Sequence, residues 1–105
     1  MHFFQINTEN GMLGLILSEK IDPVLLHYKI INVHRSRKNL YNKDIVGFYL
    51  MFINGHSMYN KNKSQINFLK LKKTPCTFAI SNDVKEIKKI VHQLEKSISS
   101  QSVSD

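Results

Sequence analysis

Short apolar runs separated by turn-forming residues recur along most of the chain, and the clearest of them is Tyr49–Ile53. It is followed by Asn54-Gly55 and then by His56-Ser57-Met58. Asn-Gly is the favoured pair for a two-residue turn in which both residues have positive φ. This segment therefore predicts a β-hairpin whose first strand is buried.

Strand-like residues also mark four other segments, which are His2–Asn7, Met12–Leu17 with an extension to Ser18 and Glu19, Tyr28–Val33, and Cys76–Ile80. Between the second and third of these, Lys20–Leu26 contains Asp22-Pro23. It predicts a loop, because the residue before a proline is pushed out of helical conformations. Farther along, Leu40–Ile45 predicts one or two helical turns.

Helical periodicity appears in two places. Asn60–Lys73 has Ile66 and Leu69 on an apolar stripe with lysines around it, which predicts an amphipathic helix. Near the end, Ser81-Asn82-Asp83 is a capping sequence for a second helix. Its apolar residues are spaced by three and four positions, as expected for one helix face. They are Val84, Ile87, Val91, Leu94 and Ile98.

The order of these elements predicts an α+β fold, a small sandwich or partly open barrel of five to six strands with two helices, plus an appended C-terminal helix. We expect residues 1–81 to form the domain and residues 82–98 to form the amphipathic helix. The serine-rich tail, residues 99–105, is expected to be disordered.

The chain has 105 residues, 42% of them hydrophobic, which fits one domain with its own core. Its net charge is +7, from 15 Lys and Arg against 8 Asp and Glu. A charge of this size favours anionic partners. One hypothesis is therefore that Arg35, Arg37 and Lys38, with the lysines of the predicted 60–73 helix, bind an anionic membrane surface or nucleic acid. Such binding falls steeply with salt.

The residues that carry chemistry are few and scattered. The histidines show no paired metal-ligand spacing, and the single cysteine, Cys76, has no partner for a disulfide or a zinc cluster. Ser57 and Ser64 lack the glycine context of a nucleophile elbow. We expect no catalytic residues, no metal and no cofactor, and therefore a protein that is not an enzyme.

Two features bear on location. The longest nearly apolar run, Ile45–Ile53, is about half the length of a membrane span. The first residues lack the charged and apolar pattern of a leader peptide. The expectation is a cytoplasmic protein, associated with the membrane or the cytoskeleton through its partners.

Gly14 stands among large aliphatic residues in the Met12–Leu17 stretch. Glycine at such a position lets backbone amides turn outward toward an anion, and Leu13, Leu15 and Leu17 would line an apolar hole beside it. That arrangement would receive a free carboxylate together with an apolar side chain. The alternative is a bulge or bend at the start of a strand. The stretch alone leaves both interpretations open.

Three segments, in the order in which they occur along the chain, resemble parts of a PDZ domain. The resemblance covers about residues 3–80. Met12-Leu13-Gly14-Leu15 is similar to the carboxylate loop of the family. Val46-Gly47 with the hairpin through Met58 is similar to its glycine, aliphatic strand and Asn-Gly block, and Ile66–Lys70 to the body of its groove helix. The chain departs from the family pattern at Phe48, where aspartate is usual, and at Met12, where glycine is common. It also lacks a basic residue shortly before the loop, where Thr8, Glu9 and Asn10 stand.

The resemblance implies a non-enzymatic adaptor or scaffold module that binds an extended peptide, a partner's C-terminus or an internal segment, by β-strand addition. The peptide would pair with the Leu15–Ser18 strand, and its carboxylate would meet the amides around Gly14. Many members have a histidine at the start of the groove helix that selects Ser or Thr. Counting back seven residues from Leu69 puts Asn62 there, or Lys61 or Lys63 if the count is off by one, which suggests a hydrophobic or acidic ligand residue instead. The implied peptide-binding residues are Met12, Leu13, Gly14, Leu15, Ile16, Leu17, Ser18, Asn62, Ile66 and Leu69.

The C-terminal stripe has two interpretations. It packs on its own domain, or it forms a two-stranded seam between two copies of the chain through Val84, Ile87, Val91, Leu94 and Ile98. Ile90 widens the stripe toward a docking face. A homodimer therefore remains an alternative at this point.

Overall fold

Two antiparallel sheets and the segments that join them are seen in the computed structural model, which describes residues 1–6, 13–41, 44–66 and 76–103. The strands are β1 (His2–Ile6), β2 (Leu15–Leu17), β3 (Ile30–Val33), β4 (Tyr49–Ile53), β5 (His56–Ser57) and β6 (Cys76–Ser81). One sheet has the order β1-β6-β4-β5, and the other consists of β2 and β3. The α+β class is confirmed, and no closed barrel forms among the described residues.

Backbone hydrogen bonds join the small sheet to the start of β4. The Ile30 amide donates to the Phe48 carbonyl at 2.7 Å, and the Leu50 amide donates to the Tyr28 carbonyl at 2.9 Å. The small sheet therefore packs against one face of the large sheet. The main core lies there, with Ile30, Leu50, Ile53, Met58, Ile66 and Ile80 all at 0% exposure. Burying each such side chain stabilises the folded state by roughly 1.5 to 3 kcal/mol.

The other face of the large sheet carries a second core. It is built by Leu25, Tyr49, Met51, Ile87 and Val91. Ile87 and Val91 belong to the C-terminal helix, α2 (Val84–Val103), which lies over this face. Because β4 is covered on both faces, three consecutive residues, Tyr49, Leu50 and Met51, are buried, which explains its uninterrupted apolar sequence.

The predicted hairpin turn is confirmed. Asn54 has φ of 50° and Gly55 has φ of 81°, the two positive values that this turn requires. The loop around Pro23 is confirmed as well, with a turn at residues 23–25. The Asp22 carboxylate accepts the amides of Val24 at 2.9 Å and Leu25 at 2.8 Å, which closes this turn.

The helical turns predicted at 40–45 are misplaced. A 3₁₀ helix spans Arg35–Leu40 instead, and Tyr41 is already extended with φ of −113°. The His34 side chain accepts from the Ser36 amide at 3.3 Å and so caps the start of this helix. Histidine is not among the preferred capping residues, so this cap carried no sequence signal, whereas Leu40 suggested a start where the helix in fact ends. Residues 42–43 lie outside the described residues.

The helix predicted at 60–73, here α1, is described only for residues 63–66. It begins with a reciprocal cap, because the Gln65 amide donates to the Asn62 side chain at 2.8 Å and the Asn62 amide donates to the Gln65 side chain at 2.9 Å. The remainder of the prediction, residues 67–73, lies outside the described residues.

α2 begins as predicted, since the Asp83 carboxylate accepts the Lys85 amide at 3.1 Å and the Glu86 amide at 3.3 Å. It continues to Val103, beyond the predicted end at Ile98 and into the segment that we expected to be disordered. No glycine or proline follows Asp83, so the sequence contains no residue that stops the helix.

Candidate functional site

The candidate site is the edge of β2 that faces away from β3. Within the described residues β3 is the only strand paired with β2, with Leu15 opposite Val33 and Ile16 opposite Asn32. The ladder is extended by the His34 amide, which donates to the Gly14 carbonyl at 2.7 Å, and by the Ser18 amide, which donates to the Lys29 carbonyl at 2.8 Å. Because successive residues of a strand direct their backbone groups to opposite sides, those of Leu15 and Leu17 face the other edge.

Gly14 lies immediately before this strand. Its φ is 74°, a left-handed conformation that glycine adopts without strain, so β2 begins at Leu15 and not at the predicted Met12. The irregularity in the β2–β3 register falls between Ile16 and Leu17, so Gly14 is not at the bulge, and a bend at the start of the strand stays the alternative to an anion-binding loop. Met12 lies outside the described residues.

The segment before β2 is fixed by a contact from a distant part of the chain. The Tyr41 hydroxyl donates a hydrogen bond to the Leu13 carbonyl, and Tyr41 is itself buried. The Gly14 carbonyl accepts the His34 amide. The carbonyl groups of Leu13 and Gly14 are therefore both hydrogen-bonded to residues farther along the chain. This geometry holds the entry to β2 in place.

The side chains of β2 divide between the two faces of the small sheet. Leu15 lies in the main core together with Leu13, which is 1% exposed, and Leu17 is partly buried at its margin. Ile16 points to the opposite face and is 41% exposed. Of the three leucines predicted to line a hole, Leu17 is therefore the one that keeps accessible surface.

The start of α1 differs from the groove helix that the PDZ resemblance implies. Asn62 is the N-cap and its side chain is occupied by the Gln65 amide, so Lys63 is the first helical residue. The Lys63 ammonium lies 5.6 Å from the centre of the Tyr28 ring, which precedes β3. Ile66 is completely buried in the main core, and Leu69 lies outside the described residues.

Sequence reasoning placed Asn62 at this end of the site, with Lys61 or Lys63 as the alternatives, and missed Tyr28. A signal for Lys63 was present, because Asn62 followed three residues later by Gln65 is a capping-box pattern that marks a helix start. No comparable local signal places Tyr28 beside it.

The loop that joins β2 to β3 has two perturbed groups. The hydrogen bond from the Leu25 amide is the main cause that lowers the pKa of Asp22 below its ordinary value, with the Val24 amide and the Tyr49 hydroxyl adding to it. Burial lowers the pKa of His27, while the hydrogen bond to the Leu25 carbonyl acts in the opposite direction. The hydrogen bonds of Asp22 and His27 stabilise the conformation of this loop. In the described part of the chain, neither side chain is hydrogen-bonded to the β2 edge.

The residues of the basic-surface hypothesis are placed only in part. Arg35 and Lys38 are exposed on the 3₁₀ helix, and Lys63 is exposed at the start of α1. The Arg37 side chain and residues 67–73 lie outside the described part of the chain.

Part of the C-terminal apolar stripe packs against its own domain. Ile87 is 0% and Val91 is 6% exposed, both packed against Tyr49 and Met51 of β4. Leu94 is partly buried and Val84 is 44% exposed, whereas the Ile98 side chain lies outside the description. Two of the five residues of the predicted seam are thus already buried in the domain, as the docking interpretation expects.

Searches of the described residues find no group of three His, Cys, Asp or Glu side chains that would hold a metal ion. Nor is any helix there long and apolar enough to cross a membrane. Comparison with models of protein families, with curated proteins and with solved structures finds no significant match for this chain.

Proposed function

We propose that the chain is a PDZ-like interaction module, a non-enzymatic cytoplasmic adaptor that binds an extended peptide by strand addition at the open edge of β2. The observation that carries this proposal is the edge itself. The backbone groups of Leu15 and Leu17 face away from β3, and β3 is the only strand paired with β2 in the described part of the chain. Unpaired edge groups are a template for another strand.

The ligand we propose is a protein C-terminus. Gly14, with its positive φ, precedes the open edge, as the carboxylate loop precedes the peptide-binding strand in the family that the sequence resembles. Lys63 at the start of α1 adds positive charge near Tyr28, at the end of β3 away from Gly14. This charge favours an acidic residue upstream in the peptide.

The expected affinity is modest. Each backbone hydrogen bond gained by the peptide contributes about 1 kcal/mol net, and one apolar side chain placed beside Leu17 adds roughly 1.5 to 3 kcal/mol. After the cost of association, a dissociation constant on the order of micromolar is expected, about 8 kcal/mol.

The first experiment is a screen of random C-terminal peptides against the same peptides with amidated ends. We expect selected peptides to bind with a free carboxylate and to lose binding on amidation. Equal binding of both forms would exclude carboxylate recognition and leave capture of an internal segment.

A pair of substitutions at Leu17 tests strand addition directly. Leu17→Pro removes an amide that faces the open edge and belongs to no ladder bond with β3, whereas Leu17→Ala removes side-chain contacts and keeps that amide. We expect the proline variant to bind the selected peptide at least tenfold more weakly than the alanine variant, about 1.4 kcal/mol, measured by fluorescence anisotropy.

Equal affinities of these two variants would contradict pairing along β2. Binding to anionic vesicles or nucleic acid that falls with salt and is unchanged by Leu17→Pro would instead support the exposed Arg35 and Lys38 as the functional surface.

A further inference from the structure

Two isoleucines are exposed on the small sheet. Ile16 of β2 is 41% exposed, whereas its neighbours Leu15 and Leu17 pack in or against the main core. Ile31 of β3 is 50% exposed. Ile16 pairs with Asn32, and Ile31 is the additional residue at the place where the β2–β3 register shifts. Ile16 and Ile31 therefore occupy neighbouring positions on the face of the small sheet directed away from the core, here called its solvent face.

Ile16 is also the residue of β2 whose side chain a newly added strand would approach most closely. Its backbone groups are directed toward Asn32 of β3, while those of Leu15 and Leu17 face the open edge. An antiparallel strand at this edge would form hydrogen bonds with Leu15 and Leu17, so the residue opposite Ile16 would belong to a non-hydrogen-bonded pair. The Cα atoms of such a pair are about 4.5 Å apart, and its side chains are closer than those of a hydrogen-bonded pair.

The direction of the peptide follows from the place of its carboxylate. A carboxylate at Gly14 lies at the start of β2, so the peptide would run antiparallel to this strand. Its last residue would lie opposite Leu15 and its penultimate residue opposite Ile16. Because directly opposite residues place their side chains on the same face of a sheet, the penultimate side chain would lie on the solvent face beside Ile16.

We propose that the Ile16 side chain selects an apolar, β-branched or aromatic residue at the penultimate position of the peptide. The inference rests on the proposed function, the addition of a C-terminal segment to β2. Pairs of β-branched and aromatic side chains are favourable across strands, and this one would cover part of the exposed surface of Ile16. Ile16, Ile31 and Asn32 carry no charge, so none of them compensates for the desolvation of a charged penultimate residue.

Fluorescence anisotropy tests the proposal with the tightest-binding peptide of the C-terminal screen, made with isoleucine, aspartate or lysine at the penultimate position. We expect the wild type to bind the isoleucine peptide about threefold more tightly than the aspartate peptide. Ile16→Lys should reverse this preference, because the new ammonium group lies opposite the aspartate. The matched control is Val84→Lys, which adds the same charge on α2 at a residue that is 44% exposed, and it should keep the wild-type preference.

The opposite charge at the same position supplies a second variant. Ile16→Glu should bind the lysine peptide more tightly than the aspartate peptide. Identical preferences in the wild type, Ile16→Lys and Ile16→Glu would overturn the inference and leave strand addition in place. Equal binding of free and amidated peptides would also overturn it, because the register depends on the carboxylate. A wild type that binds none of the screened peptides would overturn the proposed function and this inference together.

Discussion

His27 is completely buried in the loop between β2 and β3, and within the described part of the chain only one of its ring nitrogens has a partner. Nδ1 lies 2.7 Å from the Leu25 carbonyl oxygen, which only accepts, so Nδ1 carries the proton of the neutral ring. Nε2 has no hydrogen-bond partner among the described residues. A second proton would place an unpaired charge in the interior, which explains why burial lowers the pKa of His27.

This residue makes stability depend on pH. The unfolded chain protonates His27 near the ordinary value of 6.5, while the folded chain protonates it only at lower pH. The stability that the neutral His27 ring contributes is therefore fully present above pH 6.5. It is lost as the pH falls from there toward the pKa of His27 in the folded chain. We expect the free energy of unfolding in urea to fall less steeply below pH 6.5 in His27→Gln than in the wild type.

The control for this measurement is His92→Gln, since His92 is exposed on α2. It should leave the pH dependence of the wild type unchanged. Parallel pH profiles for the wild type and His27→Gln would show that the buried ring is not the source of the slope.

At the scale of single elements, α2 illustrates how a local cap and a packed face act together. Asp83 accepts the Lys85 and Glu86 amides, which have no partner within the helix. We expect Asp83→Ala to lower the free energy of unfolding by about 1 kcal/mol, because these amides lose their acceptor. Urea denaturation measures the change.

Asn82→Ala is the matched control, because Asn82 is an exposed neighbour outside the helix. It should change stability by less than about 0.5 kcal/mol. A loss of equal size in both variants would mean that the cap bonds of Asp83 contribute nothing specific.

At the scale of the whole molecule, the large sheet lies between two cores. The main core fills the space toward the small sheet, and α2 covers the outer face through Ile87 and Val91. Because β4 contributes to both cores, we expect them to unfold in one cooperative transition. Ile87→Ala should then lower the free energy of unfolding by roughly 2 to 4 kcal/mol.

Val84→Ala on the same helix is the comparison, since Val84 is 44% exposed, and it should cost less than about 0.5 kcal/mol. Thermal denaturation followed by circular dichroism checks both. If Ile87→Ala melts at the wild-type temperature, α2 is an appendage and the outer core is not part of the cooperative unit.

The elements that the sequence predicted well are those whose signals are local. Asn54-Gly55 has the backbone preferences of its turn, and the position of Asp83 before an apolar stripe marks the start of α2. The uninterrupted apolar run of β4 likewise indicated a buried strand. In each case neighbouring residues carry the preference, so no knowledge of distant contacts was needed.

What tertiary structure decided depends on residues far apart in the sequence. Tyr41 fixes the Leu13 carbonyl, and the core takes in Leu13 itself, which sequence patterns had assigned to an accessible hole. The contact of Lys63 with Tyr28 likewise follows from how α1 meets the small sheet. A sequence determines which residues are apolar, but only the packing of the two sheets determines which leucines become core and which remain at an open edge.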